Sequence, residues 1–323
     1  MVIYIVGYSR SGTKMMNKIL RAMGVVEIVP EVHFFEQIYQ FESDGIGKQQ
    51  NNRDVVTDLI KNIRYRRGEQ LKNGIKVADI ENKLFDFIES KENIAAVDIY
   101  IRFLKLLNPK SVALDTTPRN AYFIRNISRL VPNAKFIYMV RDPRDCILSQ
   151  SVKWRNYYYR YNKPKDALRY FVNFHPVLMS KFWKNSFNEF EKALNDETVK
   201  DNILLLRYED VTAAPYKTAE KVSAFLNIAS NPETNLDFIN NNNSYKWKTG
   251  FSKAKIYLIE SNLTEKIKKM GYEENQFSFT DKLKANIIML FYSLKFPAML
   301  VLNLNRTKNL WASFKLRVLG ING

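Results

Sequence analysis

The stretch that most constrains the fold lies at the start of the chain, where an apolar run leads through a glycine-bounded loop into a helical pattern. Val2 to Val6 is a short, largely β-branched run that ends at Gly7, and Thr13 opens a periodic apolar pattern. In such a strand–loop–helix unit, backbone N–H groups and the positive end of the helix dipole converge on an anion. We therefore predict a phosphate-binding loop between Gly7 and Gly12.

This loop departs from the common nucleotide-binding pattern at one position. Gly7 and Gly12 have the outer spacing of a Walker A motif, but Thr13 stands where that motif has its lysine, and Lys14 follows one place late. The sequence therefore indicates a phosphate site that differs from that of an ordinary ATPase.

Composition narrows the class of protein. The 323 residues, 46% of them hydrophobic, suit one large domain or one domain with an appendage. Cys146 is the sole cysteine, which excludes an intrachain disulfide and favours a reducing, cytoplasmic setting. With only two histidines besides, a zinc site is not expected. Because the chain begins directly on its first strand, we expect no signal peptide.

The charge balance is strongly basic. The formal net charge is +17, from 50 Lys and Arg against 33 Asp and Glu. Such an excess favours anionic partners, namely a nucleotide, a nucleic acid, an acidic glycan or a membrane surface. The alternative is that the lysines only keep the surface solvated, since net charge bears on association and not on site chemistry.

The alternation of short apolar runs with helical patterns predicts an α/β fold, in which a central parallel sheet is flanked by helices. The predicted strands are Val2–Val6, Ser111–Leu114, Lys135–Val140 and Asn202–Leu206. The predicted helices are Thr13–Met23, Asp54–Arg66, Asn93–Leu107, Asn120–Leu130, Arg144–Trp154 and Ala167–Leu194. Ligands of such sheets bind at the carboxyl ends of the strands. Asp115 and Arg141 fall at such ends, beside the first loop.

Further segments carry residues suited to an anionic ligand. Arg141 closes a strand and Ser149 lies two turns along the following helix, so a guanidinium and a hydroxyl could hold one phosphate from two sides. A surface Arg–Asp pair is the alternative. Tyr208 follows another strand, and the basic aromatic loop with Lys246 and Lys248 could cover a purine and a phosphate.

A second chemical element is the pair Glu31 and His33 beside two phenylalanines. Partial desolvation by aromatic neighbours raises the basicity of a carboxylate, so Glu31 could be a general base with His33 as its polar neighbour. The alternative is a helix-start acid and a structurally satisfied histidine. The other histidine, His175, precedes Pro176 in an aromatic helical region, which favours a structural role.

Together, these segments resemble the sulfotransferases that use 3′-phosphoadenosine 5′-phosphosulfate (PAPS), over roughly residues 1–272. Arg10-Ser11-Gly12-Thr13-Lys14 is similar to their 5′-phosphosulfate loop, and Arg141 with Ser149 matches their 3′-phosphate motif. The segment Arg207–Asp210 is similar to one whose tyrosine lies near the adenine. Glu31-Val32-His33-Phe34-Phe35 resembles the glycan branch, the heparan sulfate sulfotransferases, where the corresponding glutamate is the catalytic base.

The resemblance implies a P-loop-like three-layer fold, PAPS as sulfuryl donor, adenosine 3′,5′-bisphosphate (PAP) as product, and no metal. It implies a catalytic role for Glu31, Arg10 and His33, with His33 orienting Glu31 or the acceptor. The donor site that it implies consists of Arg10, Ser11, Gly12, Thr13, Lys14, Arg141, Ser149, Tyr208, Lys246 and Lys248. The expected acceptor is a hydroxyl of a carbohydrate or glycolipid, although an amine stays open.

The chain departs from this family at Asp115-Thr116-Thr117-Pro118, where the glycan branch has Glu-Lys-Thr-Pro. Thr116 replaces a lysine that acts near the reacting centre in the family, so Arg119, Arg10 or Lys14 would have to take its role. The late loop matches only approximately.

Two other functions are alternatives to sulfuryl transfer. A P-loop kinase is the first alternative, but it needs a lysine at the position of Thr13 and an acidic Mg²⁺ ligand after a strand. A basic nucleic-acid-binding protein is the second, and it explains the charge without explaining the strand-end motifs. We therefore expect no nucleic-acid partner.

Two regions define the expected surroundings of the site. Trp154–Tyr161 interleaves aromatic and basic residues and could line an acceptor cleft, or could be an amphipathic helix that covers the core. We divide the chain into a sulfotransferase-like domain, 1–280, and a helical C-terminal appendage, 281–323. Its apolar residues are expected to pack on the domain or in a homodimer. A peripheral membrane contact through 285–323 is the alternative.

Overall fold

The strands form one sheet at the centre of the protein, whose computed structural model describes residues 1–27, 31–39, 41, 50–109, 112–229, 234–239 and 244–303. These strands are β1 (Val2–Gly7), β2 (Ala113–Asp115), β3 (Ala134–Val140) and β4 (Ile203–Arg207). They are all parallel, in the order β2-β1-β3-β4. The four predicted strands are confirmed, with ends that differ by at most two residues.

The register aligns the carboxyl ends of the strands along one edge of the sheet. Val2 of β1 pairs with Ala113 of β2 and with Ala134 of β3, and Phe136 of β3 pairs with Ile203 of β4. In this register β1, β3 and β4 end within one residue of one another, and β2 ends three residues earlier, opposite Tyr4. The loops that follow all four strands therefore lie at the same edge.

Alternation of side chains along the strands divides the core between the two faces of the sheet. Tyr4 and Phe136 belong to the larger core, together with helices from the middle of the chain. Ile3 and Ile137 belong to the smaller core on the opposite face. Both faces are therefore buried, as the continuous apolar runs of these strands predict.

Helices cover both faces. They are α1 (Thr13–Ala22), α2 (Asn52–Arg67), α3 (Val77–Glu89), α4 (Ala96–Leu107), α5 (Ile124–Leu130), α6 (Pro143–Ser151), α7 (Lys153–Arg155), α8 (Pro164–Asn173), α9 (Pro176–Leu194), α10 (Tyr208–Ala213), α11 (Pro215–Leu226), α12 (Trp247–Gly250), α13 (Lys253–Glu260), α14 (Thr264–Lys269), α15 (Phe279–Ser293) and α16 (Phe296–Asn303). Wider and narrower helical turns occur at Phe34–Ile38 and Asn156–Arg160 (π) and at Pro118–Phe123 and Lys200–Asn202 (3₁₀).

Several helical predictions differ from the structure. The sequence pattern missed α3, whose buried residues Ile80 and Leu84 pack under α2 and α4, and it also missed α10, α11, α13 and α14. The helix expected over Asn120–Leu130 is a 3₁₀ turn followed by α5, and the helix expected over Arg144–Trp154 is α6 followed by α7. The continuous helix expected over Ala167–Leu194 is two helices, because Pro176 begins α9 and the Nδ1 atom of His175 accepts a hydrogen bond from the Leu178 backbone N–H at 3.4 Å. His175 is thus an N-cap in this structure.

The last described elements, α15 and α16, form a continuous apolar stretch. Among the described residues, Phe279–Asn303 is the one helical stretch that is long and apolar enough to cross a membrane, judged by length and composition. Within the most apolar 18 residues of this stretch, only 11% are buried. In the sequence, this stretch is followed by the basic residues Arg306, Lys308, Lys315 and Arg317, and the run 240–244 is polar and indicates a loop. Residues 240–243 and 304–323 lie outside the described residues.

Candidate active site

The loop between β1 and α1 is built around glycines that no other residue could replace without movement. A Cβ atom on Gly7, whose φ is +141°, would lie 2.2 Å from the carbonyl oxygen of Met139 in β3. Gly12 has φ +100° and is the N-cap of α1, where it contributes no side-chain hydrogen bond. The first-turn N–H groups of α1 therefore meet no capping side chain, which suits them to an external anion.

Two predicted phosphate motifs, distant in sequence, are in direct contact. The Nε–H of Arg10 donates a hydrogen bond to Ser149 Oγ at 2.8 Å. Arg141, at the end of β3, donates from Nη1 to the backbone carbonyl of Arg10 at 3.3 Å. The β1–α1 loop and the β3–α6 motif thus form one basic surface at the sheet edge.

Helix α6 holds Arg141 and Ser149 in place. The helix begins at Pro143, as predicted, and the Asp142 side chain accepts a hydrogen bond from the Arg144 backbone N–H. The Arg141 side chain is largely buried and lies 3.7 Å from Asp145 Oδ2. Arg141 and Asp145 do form a pair, but the alternative of a surface Arg–Asp pair is wrong because both side chains are buried.

Tyr208 forms the floor beneath these two motifs. Its ring centroid lies 4.4 Å from the guanidinium carbon of Arg141. A Cβ atom on Gly12 would come within 2.5 Å of Tyr208 Cδ2, so the tyrosine closely contacts the phosphate loop. The structure thus joins three predicted donor residues, although a contact between this tyrosine and adenine stays a prediction.

The late basic loop is fastened to α6. Asp145 accepts hydrogen bonds from the backbone N–H groups of Tyr245 and Trp247, at 2.7 and 3.0 Å. Gly250 packs so tightly that an added Cβ would lie 2.6 Å from Leu148, the neighbour of Ser149. These contacts bring the loop that carries the predicted lysines beside the Ser149 helix.

The two lysines of that loop are both exposed. Lys248 Nζ pairs with Glu273 Oε2 at 2.5 Å, so a bound phosphate would compete with this carboxylate for Lys248. Lys246 lies nearer the start of α12, in the part of the loop that Asp145 anchors.

The other predicted loop residues differ in accessibility. Ser11 is fully buried, and its Oγ lies 3.8 Å from Cys146 Sγ, so its side chain joins the loop to α6. Burial raises the pKa of the Cys146 thiol to about 12, which keeps it neutral. Thr13 is buried at the helix start, whereas Lys14 is exposed on the first turn of α1.

The segment around Glu31 and His33 is held by the end of β2. Thr117 Oγ1 accepts hydrogen bonds from the backbone N–H groups of Val32 and His33, both at 3.0 Å. The same hydroxyl donates to Asp115 Oδ1 at 2.6 Å. Burial raises the pKa of Asp115, while the hydrogen bonds from Thr117 and Tyr100 act in the opposite direction. Sequence reasoning singled out Asp115 by position but missed that it anchors this segment.

His33 contacts a different carboxylate from the one predicted. Its Nδ1 atom lies 3.0 Å from Glu36 Oε2, and Glu36 Oε1 accepts a hydrogen bond from Arg119 Nη1 at 2.5 Å. The expectation that His33 orients Glu31 is therefore corrected, since the left-handed backbone of His33 (φ 56°) turns its ring towards Glu36. A contact of His33 with the acceptor stays a prediction.

Glu31 itself faces partly outward. Its Oε2 atom lies 3.4 Å from Nη1 of Arg66 on α2, and both side chains are 31% exposed. This is a long ion pair between partly exposed groups, which contributes little to the stability of the fold. The Glu31 carboxylate therefore stays accessible to a ligand that approaches from solvent.

Sequence reasoning missed one cation at this site. Lys153 lies four residues after Ser149, and its Nζ is 4.0 Å from the centroid of the Tyr170 ring. Burial lowers the pKa of Lys153, against a smaller opposing effect of Tyr157. Three more cations lower it further, namely Arg10, Arg119 and Lys14. A lysine with a lowered pKa among cations is typical of a functional site.

The aromatic stretch after Lys153 lies on the surface. Tyr158, Tyr159 and Tyr161 are all exposed, and neither α7 nor the following π-turn has a buried residue. One side of the stretch packs inward, since the rings of Trp154 and Tyr157 contact those of Phe171 and Tyr170 on α8. Both the acceptor cleft and the amphipathic helix that covers the protein therefore stay predictions.

The described residues contain no group of three His, Cys, Asp or Glu side chains that could hold a metal ion.

Comparison with known proteins identifies the family. The pattern of the sulfotransferase family matches residues 3–232. The chain is 31% identical to Sulfotransferase 2A1 of Homo sapiens over 114 residues, which are 35% of this chain and 38% of that protein. The chain thus spans under two fifths of the length of this curated relative.

One solved sulfotransferase structure shares most of the fold, and a second one matches more weakly. The sulfotransferase domain from the curacin biosynthetic pathway matches 84% of this chain and 98% of its own, with a TM-score of 0.51 and 17% identity. Mouse sulfotransferase SULT7A1, solved in complex with PAP, matches 83% of this chain and 84% of its own, with a TM-score of 0.39 and 15% identity.

The family pattern spans most of the chain and includes both phosphate motifs, so the chain belongs to the sulfotransferase family. The predicted family and the P-loop-like α/β fold are thereby confirmed. The particular resemblance to the glycan branch stays a prediction.

Proposed function

We propose that this protein transfers a sulfuryl group from PAPS to a hydroxyl of a carbohydrate or glycolipid acceptor. The observation that carries this proposal is the contact of the β1–α1 loop with the β3–α6 motif through Arg10, Ser149 and Arg141. Two anion sites side by side suit a ligand with phosphates at both its 3′ and 5′ positions.

The donor set fits PAPS chemically. Cationic and hydroxyl donors dominate the edge of the sheet, and the nearby carboxylate of Asp145 is occupied by Arg141 and two backbone N–H groups. PAPS would supply the sulfuryl group, and PAP would remain as product. The residues that would hold it are Arg10, Ser11, Gly12, Thr13, Lys14, Arg141, Ser149, Tyr208, Lys246 and Lys248.

The β1–α1 loop would bind the 5′ end of the donor. Its backbone N–H groups and the start of α1 provide fixed positive partial charges, and Arg10 adds a full charge. Thr13 would donate its hydroxyl to the 5′-phosphate. In group transfer of this kind, positioning and charge stabilisation dominate, so these groups would stabilise the charge that develops on the leaving phosphate.

Arg141 and Ser149 would bind the 3′-phosphate and thereby select PAPS against nucleotides without it. The Ser149 hydroxyl already accepts from Arg10 and keeps its own proton to donate to a phosphate oxygen. Arg141 is held over the Tyr208 ring, which orients the guanidinium before the ligand arrives.

Glu31 would take the proton of the acceptor hydroxyl as general base. The hydrogen bonds from Val32 and His33 to Thr117 fix the backbone next to Glu31, while its carboxylate stays accessible. An acceptor hydroxyl that displaces Arg66 from this carboxylate would meet a free lone pair.

Lys153 would supply the positive charge of the lysine that Thr116 replaces. Thr116 is buried and uncharged, whereas Lys153 follows Ser149 in the chain, and its pKa is lowered by burial and by the charges of Arg10 and Lys14. A bound phosphosulfate would neutralise the mutual repulsion of these cations and favour protonated Lys153.

The proposed acceptor class rests on the Glu31–Phe35 pattern and on the exposed aromatic and basic stretch after α6. Aromatic rings stack on sugar faces, and Arg155 and Arg160 would attract acidic groups of a glycan. An amine acceptor is the alternative. The single buried thiol of Cys146 is compatible with the proposed cytoplasmic location.

Transfer of label from [³⁵S]PAPS to a panel of acceptors tests the proposal. Oligosaccharides and glycolipids with free hydroxyls should become labelled, and amino sugars tested alongside separate O- from N-sulfation. Labelling of phenols or sterols but not of any carbohydrate would contradict the acceptor class. No labelling of any acceptor, despite binding of PAP, would contradict the transfer activity.

A further inference from the structure

One face of the C-terminal helical stretch is apolar and has no partner among the described residues. Its large side chains are each between 53% and 80% exposed, and they recur every three or four residues. They are Phe279, Leu283, Ile287, Leu290, Phe291 and Leu294. We call these six residues the outer stripe. Because this spacing follows the helical period, they lie on a single face of α15 and of its C-cap, Leu294.

The opposite face of the same helix is packed on the domain. Ala285 is fully buried in a cluster with Ala254 and Leu258 of α13. The Tyr292 ring lies 5.9 Å from that of Phe174 and 5.5 Å from that of His175. The helix therefore has two apolar faces, of which the domain uses one.

The far end of this stretch is also fastened to the domain. Asn173 and Asn303 exchange side-chain hydrogen bonds at 3.2 and 2.8 Å. Lys295 Nζ lies over the ring of Phe171 at 3.9 Å. Since α15 and α16 are attached along their length, the outer stripe is held fixed and faces away from the domain.

Lysines border the outer stripe on both sides. At 100° per residue, Lys284 falls on one border of the stripe and Lys282 on the other. The one acidic residue of 279–303 is Asp281, on the inner side, whose carboxylate accepts from the Ser278 hydroxyl at 2.7 Å. The stripe is thus an apolar strip between positive margins.

We propose that the outer stripe docks the protein on the surface of a bilayer that contains anionic lipids, with the helix lying in the plane of the interface. Apolar side chains would enter the acyl boundary, and the lysines would extend to the headgroups on either side. Each lysine near such a surface gains from the negative potential of the lipids. The packing of the inner face keeps the helix along the membrane and not across it.

A second copy of the chain fits the stripe less well. Two stripes meeting face to face would bring their lysine margins together on molecules that each carry a net charge of +17. Anionic headgroups instead provide opposite charge at both margins. This inference does not depend on the proposed donor chemistry.

Flotation of the full chain with vesicles tests the docking surface. The chain should float with phosphatidylcholine vesicles that contain phosphatidylserine, and far less with phosphatidylcholine alone or at high salt. The double variant Leu283→Gln/Leu290→Gln should bind about tenfold more weakly, or worse. The control, Tyr65→Gln on α2, removes a still more exposed large side chain outside the stripe (82%, against 53% and 66% for the two leucines) and should bind like the parent chain.

A charge variant separates the two contributions. Lys282→Gln/Lys284→Gln should weaken binding to the anionic vesicles by about fivefold for each lysine. The control Lys217→Gln/Lys221→Gln removes two exposed lysines of α11 and should have little effect. Equal effects of both pairs would overturn the docking orientation, since binding would then follow net charge alone.

A spectroscopic readout remains valid if the leucine variant fails to fold. The parent chain has four tryptophans, so the readout is the fluorescence that each variant adds to that of the parent. The added fluorescence of Leu290→Trp should be quenched by brominated lipids, and that of Tyr65→Trp should not. The absence of flotation with anionic vesicles would overturn the proposal. So would a dimer, measured by light scattering, that Leu283→Gln/Leu290→Gln converts to a monomer without any vesicle binding, because a second copy would then cover the stripe.

Discussion

Glu31 is the residue on which the proposed chemistry depends most. Its carboxylate is partly exposed and pairs only loosely with Arg66. The backbone next to Glu31 is held by Thr117, whose hydroxyl accepts hydrogen bonds from the N–H groups of the two following residues. The residue type was predictable from the sequence, whereas the pairing with Arg66 was not, because it joins segments that only the tertiary fold brings together.

Replacing Glu31 by Gln should abolish most turnover and leave nucleotide binding intact. The amide cannot accept the acceptor's proton, so kcat should fall by about 10²–10⁴-fold, as measured by initial rates with labelled PAPS. The PAP affinity from calorimetry should stay nearly unchanged. The control Glu69→Gln removes another carboxylate paired with an arginine of α2, and its turnover should match the parent enzyme. Unchanged turnover in Glu31→Gln would remove this residue from the role of base.

Replacing Lys153 by Met should weaken PAP binding and slow transfer. A hydrogen bond from a charged group contributes about 1.5–3 kcal/mol, so the PAP affinity should fall by about tenfold to a hundredfold. Lys165→Met, at an exposed position of α8, is the matched control. Affinities equal to that of the parent in both variants would show that Lys153 does not contact the nucleotide.

The same lysine predicts a pH dependence. Burial and the neighbouring cations lower the pKa of Lys153, so in the free protein it loses its proton at a lower pH than an ordinary lysine. Since only the protonated form attracts a phosphate, PAP affinity should fall as the pH rises through that lowered pKa. Calorimetry between neutral and alkaline pH should show this decrease in the parent chain, and Lys153→Met should lack it.

At the scale of elements, the β1–α1 unit was predictable because its signals are local. A β-branched run, two glycines and an apolar period define strand, loop and helix without tertiary information. The contacts of the loop were not predictable. Glycine is needed at position 12 because its φ is positive and because the ring of Tyr208, which follows the edge strand β4, leaves no room for a Cβ atom.

Gly12→Ala should therefore cost more than backbone strain. The left-handed conformation alone costs about 1–3 kcal/mol, and the added Cβ would collide with Tyr208 at 2.5 Å. Gly24→Ala is the control, since Gly24 also has a positive φ (+74°) but no atom within 4 Å of the added Cβ. Thermal unfolding should show a larger loss for Gly12→Ala, and only this variant should lose PAP binding. Equal losses of stability would show that Tyr208 does not constrain the loop.

The late loop gives a second prediction at this scale. Asp145 holds it through two backbone N–H groups, and hydrogen bonds to a charged acceptor contribute about 1.5–3 kcal/mol each. Asp145→Ala should free residues 245–250, seen as faster amide hydrogen exchange there, and should weaken PAP binding. Exchange that stays as slow as in the parent would mean that Gly250 and Trp247 suffice to hold the loop.

One of the helices that the sequence interpretation missed is α3, although seven of its thirteen residues are apolar. Its buried residues are Val77, Ile80 and Leu84, and their burial depends on the packing of α2 and α4 against it. In the same way, Lys248 was predicted from its loop, but its ion pair with Glu273 depends on a segment more than twenty residues later.

At the scale of the molecule, the sheet explains why distant motifs form one site. Parallel strands in register end at the same edge, so Gly7, Asp115, Val140 and Arg207 deliver their following loops to one place. The order of motifs in the sequence could therefore predict their convergence. It could not predict Lys153, because that lysine becomes part of the site only through the chain's turn after α6.

The edge of the sheet is proposed to hold a nucleotide with both 3′- and 5′-phosphates. Calorimetric titration of the full chain with PAP, and separately with ATP and Mg²⁺, measures this selectivity. We predict one PAP site that needs no Mg²⁺ and binds much more tightly than ATP–Mg²⁺ does, with the preference for PAP reduced in Arg141→Met. Tight binding of ATP–Mg²⁺ without binding of PAP would instead indicate a kinase.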